Sequence, residues 1–261
     1  MSDDITSDST GDWERIMFHD NEVSVIGKRL GVSYIRSTME YIDLTVDCHS
    51  LKLYQTSMGI MAISGVVWDA GLFLADYMLA NRHIAYGCRV LDLGCGTGVC
   101  GITAILLGAS VTFSDICEPP SFDDNLGQLS YELRLRHEFI CFDWNQATPC
   151  PGLICPRSLD LQVSQSELVW DTVFCSDLLY DQKAHDPLLR LLRQMEFKKV
   201  VISYKKRHDA PEKEFFHALC LFCTMEVVLP GTFKLQNLCT SETSGLYIII
   251  AKRRTILVKE M

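Results

Sequence analysis

The stretch from Arg89 to Asp115 constrains the fold of this chain more than any other feature. It runs RVLDLGCGTGVCGITAILLGASVTFSD: an apolar strand pattern, a glycine-rich turn, an apolar helical pattern and a second strand that ends in a carboxylate. This order is typical of one βαβ unit of a doubly wound sheet, in which ligands bind at the carboxyl ends of the strands. The other motifs of the chain are interpreted by their distance from this unit.

Strand and helix patterns alternate along the rest of the chain. They predict strands at 89–93, 110–114, 138–142, 171–175 and 199–204 and helices at 68–81, 98–108, 121–134, 184–195 and 211–223. Such alternation indicates an α/β fold with a doubly wound, mostly parallel sheet that is covered on both faces. Two final strands, at about 225–229 and 246–252, have no helical period between them, so we expect an antiparallel pair that closes one edge of the sheet.

The same patterns divide the chain into three regions. Residues 1–20 are rich in Ser, Asp and Thr, which is typical of a disordered acidic tail. Apolar and polar residues alternate between 32 and 54, which predicts a β-hairpin extension within residues 21–57. We expect the main domain to span 58–256, with an inserted loop at 146–168, where three prolines and two cysteines occur without a period.

Composition argues against several classes of protein. The formal net charge of -9 disfavours nonspecific binding of nucleic acid, which requires clustered Lys and Arg, and favours a basic partner. No apolar stretch is long enough to cross a membrane, and the N-terminus lacks the pattern of a signal peptide. The twelve cysteines lack the spacing of a zinc site, so we expect no metal, reduced thiols and a cytoplasmic or nuclear address.

The turn after the first strand of this unit allows a ligand to approach the backbone. Gly94, Gly96 and Gly98 have no Cβ, so the chain can turn tightly there. A nicotinamide dinucleotide stays open at this point, because the turn also satisfies G-x-G-x-x-G and Asp115 lies at the distance of a ribose-binding acid. Asp92, two residues before the first glycine, favours a cationic ligand without phosphate, and S-adenosylmethionine is such a ligand.

Side chains near other strand ends are candidates to complete a cofactor site. The carboxylate of Asp115 can accept both ribose hydroxyls, and that of Asp143 can accept the adenine amino group. The indole of Trp144 can stack on the base, with simple covering of the core edge as the alternative. We expect Trp68 over the methionine end of the cofactor, with ordinary helix packing as the alternative.

The end of the fourth main strand carries the residues expected to act on the methyl acceptor. Ser176, Asp177 and Tyr180 lie in the sequence SDLLYD, where base-specific amino-methyltransferases typically have an NPPY-like sequence. A carboxylate and a phenol suit an incoming lysine, because Asp177 can hold and orient the ammonium and Tyr180 can wall the channel. The alternative is that Asp177 caps a helix and Tyr180 is only an aromatic residue at the rim.

Five motifs occur in order along the chain: VVWDA, VLDLGCGTGxxG, the acid at Asp115, DW at 143–144 and DxxY at 177–180. Together they resemble the motifs of the seven-β-strand protein-lysine methyltransferases of methyltransferase family 16. The likeness is strongest to the group that contains the lysine methyltransferase of the valosin-containing AAA ATPase. It implies a Rossmann-like class I methyltransferase domain with strand order 3-2-1-4-5-7-6 and an N-terminal β-hairpin. Carried over by motif, the cofactor contacts are Trp68, Gly94, Cys95, Gly96, Asp115, Trp144 and Ser176, and the catalytic residues are Asp177 and Tyr180.

The resemblance implies methyl transfer from S-adenosylmethionine to a lysine of a protein substrate, such as an AAA ATPase, a chaperone or a translation factor, by a monomeric enzyme. Neither nucleic acid nor a membrane is an expected partner. A protein histidine or a small molecule as the acceptor stays open, as does a non-catalytic interaction module. Two departures from the family matter: the loop at 146–168 is long and leaves the substrate open, and Asp181 adds a second carboxylate after Tyr180.

Overall fold

The structure, a computed structural model, describes residues 12–19, 39–56, 63–145, 169–229 and 231–254. Its strands are β1 (Tyr41–Val46), β2 (His49–Tyr54), β3 (Arg89–Leu93), β4 (Ser110–Asp115), β5 (His137–Cys141), β6 (Trp170–Ser176), β7 (Phe197–Lys205), β8 (Cys223–Val228) and β9 (Leu246–Arg253). Its α-helices are α1 (Asp12–Glu14), α2 (Asp69–Ala80), α3 (Val99–Leu106), α4 (Phe122–Gly127), α5 (Tyr131–Arg134), α6 (His185–Gln194) and α7 (Asp209–Cys220). A π-helical turn (Arg15–His19) continues α1, and short 3₁₀ turns lie at Arg82–Ile84, Gln182–Ala184 and Thr240–Glu242.

Seven strands form one sheet in the order β5-β4-β3-β6-β7-β9-β8. The strands from β3 to β7 pair in parallel, whereas β9 is antiparallel to both β7 and β8. Counted within this sheet, the order is 3-2-1-4-5-7-6, so the expected doubly wound fold class is confirmed. The predicted helix at 121–134 is interrupted between α4 and α5, and the one predicted at 211–223 ends earlier because Cys223 already belongs to β8.

The central strand β3 is buried on both faces of the sheet, as the apolar run in the sequence predicts. Val90 packs into an apolar layer with α2 and α3, whereas Leu91 and Leu93 pack into the opposite layer with α6 and α7. Successive side chains of a strand point to opposite faces, so one run of apolar residues supplies both layers. This double burial holds the strand end, and the turn that follows it, in a defined position.

The predicted hairpin is present as β1 and β2, which pair antiparallel around a turn at Asp47 and Cys48. Side-chain amides replace missing strand neighbours along its edges. Gln128 bonds both backbone groups of Lys52, and Asn237 bonds both backbone groups of Thr45. A two-stranded ribbon is marginal by itself in water, so these contacts with the main domain stabilise it. Residues 21–38 lie outside the described part of the chain.

The prediction of a disordered tail through residue 20 is wrong for the helical segment that includes Trp13 and Met17. Both side chains are buried, and Trp13 packs on Phe216 with ring centroids 5.9 Å apart. Glu14 forms an ion pair with Lys213 of α7. Residues 1–20 are mostly polar, but they include these two large apolar side chains. Burying their surface away from water stabilises the packing of the segment on the main domain. Residues 1–11 and 20 lie outside the described part.

No cluster of His, Cys, Asp and Glu suited to a metal occurs among residues 12–19, 39–56, 63–145, 169–229 and 231–254. In the same ranges, no helix is long and apolar enough to span a membrane. Cys95, Cys100 and Cys175 are buried free thiols. Cys117 and Cys141 are exposed, because Cys117 lies beyond the end of β4 and Cys141 is the last residue of the edge strand β5.

Candidate cofactor and substrate site

The carboxyl ends of β3, β4, β5 and β6 surround a cleft of about 480 Å³. This is the edge of a doubly wound sheet where ligands bind, next to the point at which the strand order reverses. Ten of the twelve site residues predicted from the sequence line it, and these are Trp68, Gly94, Cys95, Gly96, Asp115, Asp143, Trp144, Ser176, Asp177 and Tyr180. The two exceptions are Asp92 and Gly98.

The glycine turn passes so close to its neighbours that no side chain fits at Gly94 or Gly96. Gly94 has φ 64°, and a Cβ there would lie 2.6 Å from Leu178 Cδ2 and 3.0 Å from Trp144 Cζ2. Gly96 has φ 52°, and a Cβ there would lie 3.1 Å from the carbonyl oxygen of Ser64. Both the left-handed backbone and the closeness of these neighbours require glycine. The turn therefore forms a bare backbone wall against which a ligand can lie.

Asp92 is not among the residues that line the cleft, and its contact with the cofactor stays a prediction. Its side chain is 1% exposed, and its Oδ2 accepts the backbone N–H of Gly101 at 2.8 Å. Burial raises the pKa of Asp92 to about 8, the Gly101 N–H lowers it, and the charge of Asp115 raises it further. The residue is thus protonated near neutral pH and ties the strand to α3, because it points beneath the turn rather than over it.

Gly98 is also not among the residues that line the cleft, and its contact with the cofactor stays a prediction. It is the residue before α3 and has φ 82°, and a Cβ there would lie 3.2 Å from the ring of Phe122. The glycine lets the chain enter the helix beside this ring, so it contributes to the shape of the turn.

Asp115 ends β4 with its carboxylate in the cleft, as predicted. Its Oδ2 accepts the backbone N–H of Gly96 at 3.0 Å, and its Oδ1 accepts that of Ile116 at 2.8 Å. Burial raises the pKa of Asp115, while these two N–H groups lower it. Each oxygen has a second lone pair, so the fixed carboxylate can still accept a pair of hydroxyl donors. This geometry fits the two hydroxyls of a ribose.

Asp143 and Trp144 follow β5 and form another side of the cleft. The Oδ1 of Asp143 accepts the backbone N–H and the side-chain amide of Asn145, at 2.9 and 3.0 Å. The indole of Trp144 is half-buried and lies against the Gly94 backbone. A carboxylate beside an aromatic face suits a base with an exocyclic amino group. The adenine assignment itself stays a prediction.

Trp68 lies immediately before α2, and its indole N–H donates to the carbonyl of Ile63 at 2.8 Å. This bond fixes the ring at the cleft next to Ser64 and Gly71. Its contact with the methionine end of a cofactor stays a prediction.

Asp177 is buried at the end of β6, and its carboxylate forms a two-point ion pair with Arg207. The guanidinium donates from Nη1 to Oδ1 and from Nη2 to Oδ2, both at 2.7 Å. Asp177 does not cap a helix, because Asp181 caps the following 3₁₀ turn by accepting from the backbone of Lys183 at 3.0 Å. Direct contact of Asp177 with an acceptor amine stays a prediction.

Tyr180 stands at the mouth of the cleft with 43% of its surface exposed. Partial burial raises the pKa of its phenol, and the charges of Asp181, Asp115 and Asp177 raise it further. The ring is therefore a neutral phenol at physiological pH, able to donate or accept a hydrogen bond. A neutral phenol is suited to the wall of a channel through which an amine enters.

The charges around the cleft fit S-adenosylmethionine better than a phosphate ligand. Among the described residues, four carboxylates line it, from Asp115, Asp143, Asp177 and Asp181, together with one lysine, Lys183. The bare glycine wall and the ribose acid fit the nucleoside, and the acidic lining fits the sulfonium and ammonium groups. In the described residues that line the cleft, no arginine or lysine lies in the glycine turn to bind a pyrophosphate.

Sequence reasoning missed Arg207, which the structure brings to the site. The residue belongs to the run KKR after β7, and β7 pairs with β6 in parallel, so their carboxyl ends are adjacent. The signal in the sequence is a basic run at the end of one strand together with an acidic motif at the end of the neighbouring strand, which indicates an ion pair between the two. Lys183, Leu178 and Cys100 also line the cleft without having been predicted.

Comparison with known proteins agrees with this geometry. The family described as lysine methyltransferase matches residues 46–148 and 154–221. EEF1A lysine methyltransferase 3 of Mus musculus is 38% identical over 214 residues, or 80% of this chain and 80% of that protein. Protein N-lysine methyltransferase METTL21A of Danio rerio is 28% identical over 187 residues, or 71% of this chain and 80% of that protein.

A third relative extends the range of substrates. Electron transfer flavoprotein beta subunit lysine methyltransferase of Danio rerio is 28% identical over 128 residues, or 49% of this chain and 43% of that protein. Two of these three relatives are named for different protein substrates, so the likeness identifies a chemistry rather than one acceptor. The chain is an S-adenosylmethionine-dependent methyltransferase and belongs to the lysine methyltransferase family.

Proposed function

We propose that this enzyme methylates a lysine of a folded protein, with Asp177 and Tyr180 at the acceptor amine. The observation that carries the proposal is that one cleft is lined both by the glycine turn with Asp115 and by Asp177 with Tyr180. The first pair suits the nucleoside of the cofactor, and the second suits an amine. Positioning two bound reactants in this way supplies most of the rate in a direct transfer.

The residues act by binding and orientation. S-adenosylmethionine supplies a methyl carbon that is activated by its bond to a positive sulfur. The glycine turn and Asp115 hold the nucleoside, and Asp143 and Trp144 hold the base. Tyr180 borders the channel. Asp177 accepts an N–H of the amine through Oδ2, which keeps a lone pair beyond the one used by Arg207, whereas Oδ1 accepts from both Arg207 and the backbone N–H of Lys205. The acceptor must lose its ammonium proton before it attacks.

The substrate class forms a further part of the proposal. The motifs are most like those of the group with the valosin-containing AAA ATPase methyltransferase, and one relative is named for the translation factor EEF1A. We therefore propose an AAA ATPase, a chaperone or a translation factor as the substrate. The acidic chain favours a basic surface around the target lysine. We further propose a monomer in the cytoplasm and nucleus.

One experiment tests this function. Purified enzyme is incubated with tritiated S-adenosylmethionine and a cell extract, and the labelled protein is digested and examined by mass spectrometry for methylated lysine and methylated histidine. We expect one predominant labelled protein with methyl-lysine. Label on histidine, or in a small-molecule fraction, would contradict the proposal. The Asp115→Ala variant is the control, and it should label nothing because it lacks the ribose acid.

A further inference from the structure

We propose that Arg207 is a positioning residue whose ion pair with Asp177 lets the target lysine enter the site and lose its proton. This inference rests on the proposed function, since it concerns the same acceptor. Without Arg207, the Asp177 carboxylate would hold the lysine as an ammonium ion, which has no lone pair for attack. With Arg207 present, Asp177 still orients the amine, but the positive guanidinium offsets most of the electrostatic effect of its negative charge.

The geometry of the pair supports this role. Both guanidinium contacts to the carboxylate are 2.7 Å long, and Nη1 also donates to the carbonyl of Lys205 at 3.0 Å. The side chains of Arg207 and Asp177 are 10% and 4% exposed. A planar guanidinium that bonds both carboxylate oxygens holds them in one orientation, and burial excludes the water that would otherwise screen the charges. The pair therefore acts as one neutral unit at the end of β6.

The backbone of Asp177 is held as firmly as its side chain. The residue has φ 56°, and its N–H donates to the carbonyl of Ser203 at 2.7 Å. The backbone N–H of Lys205 also donates to Asp177 Oδ1, at 3.3 Å. A left-handed aspartate persists only where its surroundings impose it, and such residues cluster at functional sites. Every one of these restraints comes from β7 or from the residues that follow it.

The charges that face the pair come from several elements. Glu212 of α7 is buried and accepts the backbone N–H groups of Arg207 and His208, at 2.8 and 2.9 Å. Burial raises the pKa of Glu212 to about 7, while these N–H groups and the charge of Arg207 lower it. At the other end, Asp69 of α2 pairs with the Nζ of Lys205 at 3.7 Å. Lys205 and Arg207 are thus paired with Asp69 and Asp177, and the charges of Asp69 and Glu212 also act on Arg207.

On the cleft side, Asp115 and Asp181 face the Tyr180 phenol together with Asp177. Those two carboxylates are fixed by backbone N–H groups, so they do not bind Arg207. The charge of Asp177 is therefore the one that the guanidinium offsets. A lysine entering past Tyr180 meets a carboxylate whose charge is already balanced.

The chemistry requires this balance. The lysine ammonium gives a proton to water, and its freed lone pair forms the bond to the methyl carbon. The bond between that carbon and sulfur breaks, and its electrons stay on sulfur, which becomes a neutral thioether. The methylated product leaves as an ammonium ion or loses a second proton to water. A nearby unbalanced carboxylate raises the pKa of an amine and so reduces the fraction that can attack.

The test compares the pH dependence of the wild-type enzyme with that of Arg207→Gln. The probe is the extract fraction that contains the protein labelled by the wild-type enzyme, with tritiated S-adenosylmethionine at saturation, from pH 6 to 10. We expect the acidic limb of the Arg207→Gln rate profile to shift upward by about one pH unit, which is about a tenfold loss at pH 7. The variant should recover to within about threefold of wild type at pH 9.5.

Two further variants serve as controls, one for the loss of an arginine elsewhere and one for the loss of the two-point contact alone. Arg190→Gln removes an exposed arginine from α6 and should leave the profile unchanged. Arg207→Lys keeps the charge but not the two-point contact and should give a smaller upward shift. Binding of S-adenosylmethionine, measured by calorimetry, should stay within about threefold of wild type in all three variants.

A uniform loss at every pH, or an unchanged profile, in Arg207→Gln overturns the inference. If Arg207→Gln does not fold, the Arg207→Lys profile decides: an upward shift supports the role and a uniform loss overturns it. If the wild-type enzyme labels no lysine, the proposed function fails. Wild-type labelling with a uniform loss in the variants overturns the role of Arg207 alone.

Discussion

The side-chain amide of Asn125 pairs with both backbone groups of Tyr54. It accepts the Tyr54 N–H at 2.6 Å and donates to the Tyr54 carbonyl at 3.2 Å. The same amide nitrogen donates to the carbonyl of Thr97 at 3.0 Å, and Asn125 is fully buried. One side chain of α4 thereby connects the hairpin to the glycine turn.

We expect Asn125→Ala to weaken both the fold and cofactor binding. The change leaves buried backbone groups of Tyr54 and Thr97 without a partner, which costs about 2–3 kcal/mol in the free energy of unfolding. Denaturant unfolding and calorimetry with S-adenosylmethionine measure the two effects. Gln128→Ala is the matched control, because Gln128 makes the equivalent pair with Lys52 at the exposed edge. It should cost less than about 1 kcal/mol, and equal losses in the two variants would contradict the coupling.

Asp115→Asn should weaken the binding of S-adenosylmethionine at least tenfold. The amide cannot accept with both of its polar atoms, so a ribose hydroxyl loses a bond to a charged acceptor, which is worth about 1.5–3 kcal/mol. Calorimetric titration of cofactor measures the change, and thermal melting controls for folding. An affinity within twofold of wild type would exclude Asp115 as the ribose acid.

Asp177→Asn should instead reduce methyl transfer far more than cofactor binding. Asparagine tolerates the left-handed backbone of this position, and thermal melting checks that the variant folds despite the loss of one charge of a buried pair. The neutral amide leaves Arg207 as an unbalanced cation, which opposes the entry of a lysine. We expect at least a tenfold lower rate of label incorporation, with affinity for S-adenosylmethionine within about threefold. Equal losses in rate and affinity would contradict a role at the acceptor.

The stability of the protein should fall as pH rises from 5 to 8. The pKa of Asp92 is raised from 3.8 to about 8 and that of Glu212 from 4.5 to about 7, both by burial. A carboxyl with a raised pKa in the folded state stabilises the fold fully below its unfolded pKa, and this contribution is lost as pH rises towards the folded pKa. Asp92→Asn removes one of these groups.

The melting temperature of Asp92→Asn should therefore rise relative to wild type by about 3 °C or more at pH 8, with a smaller gain at pH 5. The control is Asp124→Asn, which changes an exposed carboxylate of α4. It should give no pH-dependent difference. A gain for Asp92→Asn that is the same at both pH values would show that the carboxyl ionises normally.

Trp13→Ala should detach the N-terminal helical segment. The indole is 3% exposed and packs on Phe216, so its removal costs about 3 kcal/mol in the free energy of unfolding. The segment also supports the loop after β7, because the Nζ of Lys206 donates to the Met17 carbonyl at 2.8 Å. We expect a lower rate of label incorporation as well. Leu221→Ala, which changes an exposed apolar residue, should cost less than about 0.5 kcal/mol.

Much of the fold follows from patterns that are local in the sequence. The apolar run at Arg89–Leu93, the glycines after it and the alternation of strands and helices predict the doubly wound sheet, since each element is specified by its own period. The N-terminal segment was mispredicted because Trp13 and Met17 are two apolar residues in a polar stretch. Their burial depends on a partner surface on α7, more than 190 residues later in the chain.

The motifs of the site and their order along the strands follow from the sequence alone, because a parallel sheet brings its carboxyl ends to one edge whatever the loops do. Which of those residues face the cleft depends instead on how the elements pack. Asp92 is turned beneath the glycine turn, where burial keeps it protonated, whereas Asp115 points into the cleft. The tertiary structure also pairs Asp177 with Arg207, because this contact depends on β6 and β7 being neighbours in the sheet and not on distance along the sequence.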